Sequence, residues 1–294
     1  MGIHNVNFIT IYLYIYNYIV FKYYIIYNLY IIMKFIFIDK GRLGNAIFRY
    51  MACSVLCIKY QGEYSTLLQN IDIIINDNVF CEIIKNDYKL QDGNYLLNEW
   101  YQHDTIYKKY KSQIIDFINK NQHIVITDGI TAGDGNKQEF LMKNIINRPH
   151  NFYKNYDMVF HIRLGDMVNL NITISLEKIL NLIQNIQYAE CNSIAIVCDK
   201  CETQYEKTFI KTVMEKLHAK FNGTIILESN DVLTDFHIMS SCKILVCSVS
   251  TLSWCAAFFS KTIEKCYMPK HSTATTNPHC DCYYPIDNTE LYDI

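Results

Sequence analysis

From residue 33 onward, short apolar runs alternate with longer amphipathic stretches. Met33-Lys-Phe-Ile-Phe-Ile-Asp39 is a continuous apolar run of strand length. Gly41-Arg-Leu-Gly-Asn45 reads as a turn, and Ala46–Tyr60 as a helix with Ile47, Met51, Val55 and Ile58 on one side. Strand, Gly-rich turn and helix form the opening unit of a Rossmann-like domain. Residues 112–120 are predicted helical, His123–Thr127 a strand, and Thr131–Asn136 a loop. Arg148-Pro149-His150 marks a boundary, and a second series follows. Its predicted strands are Met158–Ile162, Ser193–Cys198, Thr224–Leu227 and Lys243–Cys247. Its predicted helices are Leu176–Gln187, Gln204–Phe221, Thr234–Ser241 and Thr251–Phe259. Alternation in both halves predicts an α/β protein with parallel sheets, divided into residues 33–150 and 151–294. No repeat of solenoid period stands out.

Composition changes this picture only at the edges. A net charge of −2 without a basic block argues against a nucleic-acid surface. Isoleucine, asparagine, tyrosine and lysine are all abundant, and all have A/T-rich codons, so stripes of these residues carry little weight. The 12 cysteines look like reduced, mostly buried thiols rather than a disulfide framework. Cys198-x-x-Cys201 and Cys280-x-Cys282 are too poorly matched for a four-ligand zinc site, so no metal site is assigned.

Residues 1–32 stand apart, rich in isoleucine and tyrosine with a single charge at Lys22. Three readings compete for this segment: a membrane anchor, a signal peptide and a leader outside the working protein. The apolar run Val6–Phe21 is shorter than the ~20 residues of a membrane span. It also lacks a basic start and a small-residue cleavage site. The preferred reading is a leader preceding a start at Met33, which implies a cytoplasmic protein. The anchor reading instead implies membrane contact through residues 1–32 alone.

Candidate chemistry gathers at strand ends in the second half. Met158–Ile162 carries His161 near its end and runs into Arg163, Gly165 and Asp166. The chain has four arginines against 23 lysines, so an arginine at a strand end suggests a need for a planar fork that grips two anionic oxygens. An ordinary Arg–Asp pair fixing a turn explains these residues equally well. Asp199 ends another strand, and Ser248-Val-Ser250-Thr251 opens a helix. Helix capping accounts for Ser250 and Thr251 taken alone. Several such sites at strand ends in one half point to an anionic ligand at a helix N-terminus. The chain has no GxxxxGK[ST] phosphate loop, and Gly41-x-x-Gly44 is not GxGxxG. No Asp-x-Asp appears to hold a metal on a sugar diphosphate.

These same residues resemble the α-1,2-fucosyltransferases of glycosyltransferase family 11, and more distantly the α-1,6- and protein O-fucosyltransferases. Gly41–Tyr50 is similar to G-G-L-G-N-Q-M-F-Q-Y, and Leu97–Tyr107 to a segment containing G-Y-W-Q-S-E-K-Y-F. His161–Asp166 resembles H-x-R-R-G-D, and Ile196–Asp199 resembles F-S-D-D. Thr234–Ser240 with Ser248–Trp254 resembles D-L-x-L-M-S followed by N-S-T-F-S-W-W. The resemblance implies a GT-B-like fold, two Rossmann-like halves facing a cleft, and inverting transfer of fucose from GDP-fucose to a glycan hydroxyl without a catalytic metal. It implies Arg163 on the diphosphate, His161 and Asp235 near the guanine, Ser250 and Thr251 around the phosphates, and Gly44 and Asn45 facing the donor from the first half. Asp199 joins the donor-binding set, and Asp166 is the candidate general base beside Arg163. Three positions depart from the pattern: Leu164 replaces its second Arg, Lys200 its second Asp, and Arg42 a Gly. Two alternatives stay open, a transferase using another nucleotide sugar and an inactive nucleotide-sugar or glycan-binding protein.

Overall fold

The structure, a computed structural model, describes residues 33–38, 41–65, 70–129, 138–149, 154–169, 172–188, 190–270 and 283–293, with Tyr16 and Phe152. The side chains of Asp166 and Asn169 fall outside this set, as do residues 1–32 apart from Tyr16, the 131–136 loop, His150, Cys280 and Cys282. Among the described residues no helix is long and apolar enough to cross a membrane.

The first half runs β1 (Lys34–Phe37), α1 (Leu43–Tyr60), β2 (Glu63–Tyr64), β3 (Ile73–Ile75), α2 (Asp77–Lys85), β4 (Asn94–Leu97) and α3 (Asp104–Lys120). An antiparallel pair, β5 (Val125–Asp128) and β6 (Gln138–Leu141), and a short α4 (Met142–Ile146) complete it. Its sheet is fully parallel, in the order β2-β1-β4-β3. The second half runs β7 (Met158–Ile162), α5 (Gly165–Asn169), α6 (Leu176–Asn185), β8 (Ser193–Cys198), α7 (Gln204–His218) and β9 (Thr224–Glu228). Then come α8 (Val232–Ser241), β10 (Ile244–Val246), α9 (Thr251–Phe259), β11 (Lys265–Lys270) and β12 (Thr289–Asp293). Its six strands are parallel in the order β12-β11-β10-β7-β8-β9. The direction of travel reverses between β7 and β10, which makes the crevice at their carboxyl ends the expected ligand position. The α/β reading with two parallel sheets therefore holds.

Burial follows from the strands' sequences. β7 is buried along its whole length and β8 along all but its first residue, as strands covered on both faces require. α1 starts at Leu43, three residues before the position read from periodicity, so Gly44 and Asn45 belong to its first turn. α1 is apolar nearly all round because it is covered on two sides. One continuous cluster takes in Phe35 and Tyr95 of the first sheet, Phe48 and Met51 of α1, Trp254 and Phe258 of α9, and Val159 and Leu245 of the second sheet. The Phe48 and Trp254 rings lie 4.7 Å apart. The boundary near Arg148 thus separates the two sheets but not the core. A second cluster, with Phe160, Ile162, Leu164, Ile179 and Phe209, fills the far side of the second sheet.

Candidate functional site

The site lies where the carboxyl ends of the second sheet meet the first turn of the other half. In the first half, Gly41 has φ +77, a conformation that suits glycine. An added Cβ there would lie 3.1 Å from the Trp100 ring. Gly129 N–H donates to the Gly41 carbonyl at 3.1 Å and ties this turn to the end of β5. Asp128 Oδ1 accepts from Leu43 N–H at 2.7 Å, so a carboxylate caps the N-terminus of α1 where the preceding Arg42 side chain does not. Arg42 Nε stands 3.6 Å from Asp128, and its Nη2 stands 3.9 Å from Asp199 of the second half. Arg42 therefore bridges the two halves.

In the second half, His161 is the penultimate residue of β7, and its Nδ1 hydrogen-bonds the Ser248 hydroxyl at 2.8 Å across the point where the sheet order reverses. Burial, with the neighbouring Arg163 cation, lowers the His161 pKa to about 3. The ring is neutral at pH 7 and offers one N–H and one acceptor. The turn after Arg163 is held by Glu206. Its Oε1 accepts from Gly165 N–H at 3.1 Å, and its Oε2 from Glu202 and Thr203 N–H at 2.8 Å. With Thr203 it forms a capping box on α7. The Thr203 N–H leads the bonds that hold the Glu206 pKa below the usual range, outweighing burial. One helix start thus anchors the loops that follow both β7 and β8.

A cavity of about 210 Å³ joins these groups. His161, Arg163, Asp199, Asp235 and Ser250 line it, with Arg42, Asp128 and Gln138 from the first half and Asn230 from the loop after β9. Five of the residues singled out in the sequence therefore converge. Burial raises the Asp235 pKa to about 6, aided by the nearby Asp199 and Asp231 charges and opposed by Asn230. Ser250 caps α9, accepting from Leu252 N–H at 3.2 Å.

Other singled-out residues sit differently. Gly44 is buried where α1 meets α9, and a Cβ on it would lie 2.4 Å from Thr251 Oγ1 and 2.5 Å from Leu252 N. Close packing of the two helices accounts for that glycine. Thr251 faces Gly44 rather than the cavity. Asn45 accepts from Gln102 Nε2 at 3.3 Å, outside the cavity lining. The Asp166 side chain lies outside the described residues. Leu164 is 4% exposed and packs in the second-sheet core, so the position of the missing arginine points away from the cavity. Asp128 and Asn230 were missed, although each follows an apolar strand and obeys the strand-end rule used for Asp199. Among the described residues, no group of three or more His, Cys, Asp or Glu is arranged to hold a metal.

No family model matches the chain, and no curated protein matches it. Among solved structures, the chain is similar to the fucosyltransferase NodZ from Bradyrhizobium, with 7% identity and a TM-score of 0.43 over 78% of this chain and 93% of that one. It is similar also to NodZ α-1,6-fucosyltransferase soaked with GDP-fucose, with 7% identity and a TM-score of 0.43 over 80% of this chain and 94% of that one.

Proposed function

We propose that the protein is an inverting glycosyltransferase that moves fucose from GDP-fucose to a glycan hydroxyl, with an α-1,2 linkage to a galactoside as the specific case. The observation that carries this reading is the convergence of His161, Arg163, Asp199, Asp235 and Ser250 in one cavity at the reversal point of a parallel sheet. That is where open α/β sheets bind nucleotides. The cavity is smaller than the ~300–1,000 Å³ of a typical ligand pocket, so one part of a nucleotide sugar fills it and the rest lies along its mouth. Arg163 grips the diphosphate with its planar fork, and Arg42 supplies a second cation from the opposite wall. The two guanidinium groups offset the charge that develops on the leaving GDP. The acceptor oxygen forms its bond to the anomeric carbon as the bond to the diphosphate oxygen breaks. The proton leaves to a base, for which Asp166 is the candidate by position. His161 and Asp235 meet the purine. The chain has no Asp-x-Asp, so these cations and hydroxyls take the charge-balancing role, and EDTA leaves turnover unchanged.

The test is calorimetric binding of GDP and of UDP, followed by release of fucose from GDP-fucose with and without EDTA. GDP binding tighter than UDP, with fucose released, supports the reading. Tighter UDP binding assigns a different donor. GDP binding without turnover on any acceptor assigns an inactive binder, and a strict Mn²⁺ requirement removes the metal-free mechanism.

A further inference from the structure

The cavity carboxylate Asp235 does not stand alone. Asn230 N–H and Nδ2 donate to the same oxygen, Asp235 Oδ1, at 3.3 and 2.9 Å. Asp235 Oδ2 has no hydrogen-bond partner among the described residues, and it is the oxygen left for a ligand. Asn230 is itself fixed on every polar atom of its amide. Nδ2 also donates to Glu228 Oε2 at 2.9 Å, and Oδ1 accepts from Lys154 Nζ at 3.0 Å. Lys154 Nζ donates in turn to Glu228 Oε2 at 2.7 Å, and the Tyr156 hydroxyl donates to Glu228 Oε1. Lys154 and Tyr156 lie on the segment that joins the two halves. An ammonium can only donate, so Lys154 forbids the flipped amide in which Asn230 would turn its oxygen toward two carboxyls.

We propose that Lys154 and Asn230 are positioning residues for the donor site: the connecting segment, through the Lys154–Asn230–Asp235 chain, orients Asp235 and keeps Oδ2 available as an acceptor for the N–H groups of a purine ring. The purine assignment rests on the function proposed above; the chain of positions does not. Glu228 is 6% exposed, and burial would raise its pKa, but Lys154, Tyr156 and Asn230 together bring it below the usual range. Asp235 faces Asp199 at the end of β8, Asp231 at the start of its own helix, and the cavity groups His161, Arg163, Arg42 and Asp128. Burial pushes its pKa up, the two neighbouring acids add to this, and Asn230 pulls it down. Loss of the Asn230 donors removes the hydrogen bonds that hold the shift down.

The test follows the Asp235 carboxyl by ¹³C NMR titration in the ligand-free full-length protein, in wild type, Lys154→Met, Lys154→Arg and Asn230→Ala. The expected wild-type midpoint is near 6. Lys154→Met should move it up by about half a unit or more, roughly a three-fold gain in proton affinity. Asn230→Ala should move it further, and Lys154→Arg should restore it. Lys154 is partly exposed, so its replacement should leave the fold intact. An unchanged midpoint in both Lys154→Met and Asn230→Ala would overturn the proposal. In a parallel arm, GDP affinity is measured from pH 5 to 8. A wild type that binds no GDP removes the purine assignment and the proposed function, while the midpoints still decide the positioning chain. With binding present, the fall in affinity on acidification should begin at a higher pH in Lys154→Met than in wild type.

Discussion

At the scale of single residues, two adjacent positions differ in kind. Arg163 opens into the cavity, whereas Leu164 is sealed in the core. Arg163→Lys keeps the charge but loses the bidentate fork, and the expected loss of GDP affinity is roughly ten- to a hundred-fold, as for a hydrogen bond to a charged group. Calorimetry on the folded variant checks this, and equal affinity in wild type and Arg163→Ala would remove the diphosphate role. Leu164→Arg should not rebuild a second phosphate fork. It would bury an unpaired cation and cost about 3 kcal/mol or more, read as a lower urea midpoint. A third prediction concerns acid. The folded protein holds His161 with a pKa of about 3 against 6.5 when free. Between those values only the unfolded chain takes the proton, so stability falls as pH drops. Asp235 works in the opposite sense, because its folded pKa of about 6 exceeds the ordinary 3.8, and stability rises as pH drops through that window. Urea midpoints between pH 4 and 7 should therefore fall more steeply with acid in Asp235→Asn than in wild type, and less steeply in His161→Gln. Parallel curves in all three proteins would refute both assignments. That His161 would meet Ser248, 87 positions away, had no sign in the local sequence.

At the scale of elements, legibility followed burial on both faces. β8 and α9 lie where the apolar runs put them, because Ser-Ile-Ala-Ile-Val-Cys and Thr-Leu-Ser-Trp-Cys-Ala-Ala-Phe-Phe are nearly all buried. α3 was read only from residue 112, since its first turns mix lysines with tyrosines and show no clean stripe. β3 went unseen because it is an edge strand of three isoleucines, two of them exposed. β11 was hidden by Lys-Cys-Tyr-Met-Pro-Lys. Its Pro269 is tolerated because pairing with β10 stops at Tyr267 and only β12 lies alongside. The cavity was half legible: the strand-end rule found the second wall, while the first wall depends on Asp128 capping a helix that starts 85 residues earlier. The packing of α1 on α9 supplies a fourth prediction. Gly44→Ala forces a methyl against Thr251 Oγ1 and Leu252 N, and overpacking of this kind costs about 1–3 kcal/mol. Adding Thr251→Ala should not restore the melting temperature, because the Leu252 backbone nitrogen is as close as the hydroxyl. Full rescue by that second change would show the clash to be with the side chain alone.

At the scale of the whole molecule, the two sheets share one core. Trp100 sits in the first half and Trp254 at the junction of the halves. The chain also returns: the N–H groups of Tyr283 and Tyr284 both donate to Asp104 Oδ2 of α3 before β12 closes the second sheet. Unfolding should accordingly be a single transition, with tryptophan fluorescence and far-ultraviolet circular dichroism giving the same urea midpoint. Two separated midpoints would mean that the halves hold together less tightly than their shared core implies. The pairing of α1 with α9 also bears on synthesis. The surface that α1 presents to Trp254 is finished early on the ribosome, but its cover is made roughly 200 residues later, about 10–40 s at ordinary elongation rates. For that interval the nascent chain carries a bare aromatic and aliphatic helix face that its own first half cannot hide, so the yield of native protein should depend on chaperone supply and translation speed more than on the stability of the finished molecule.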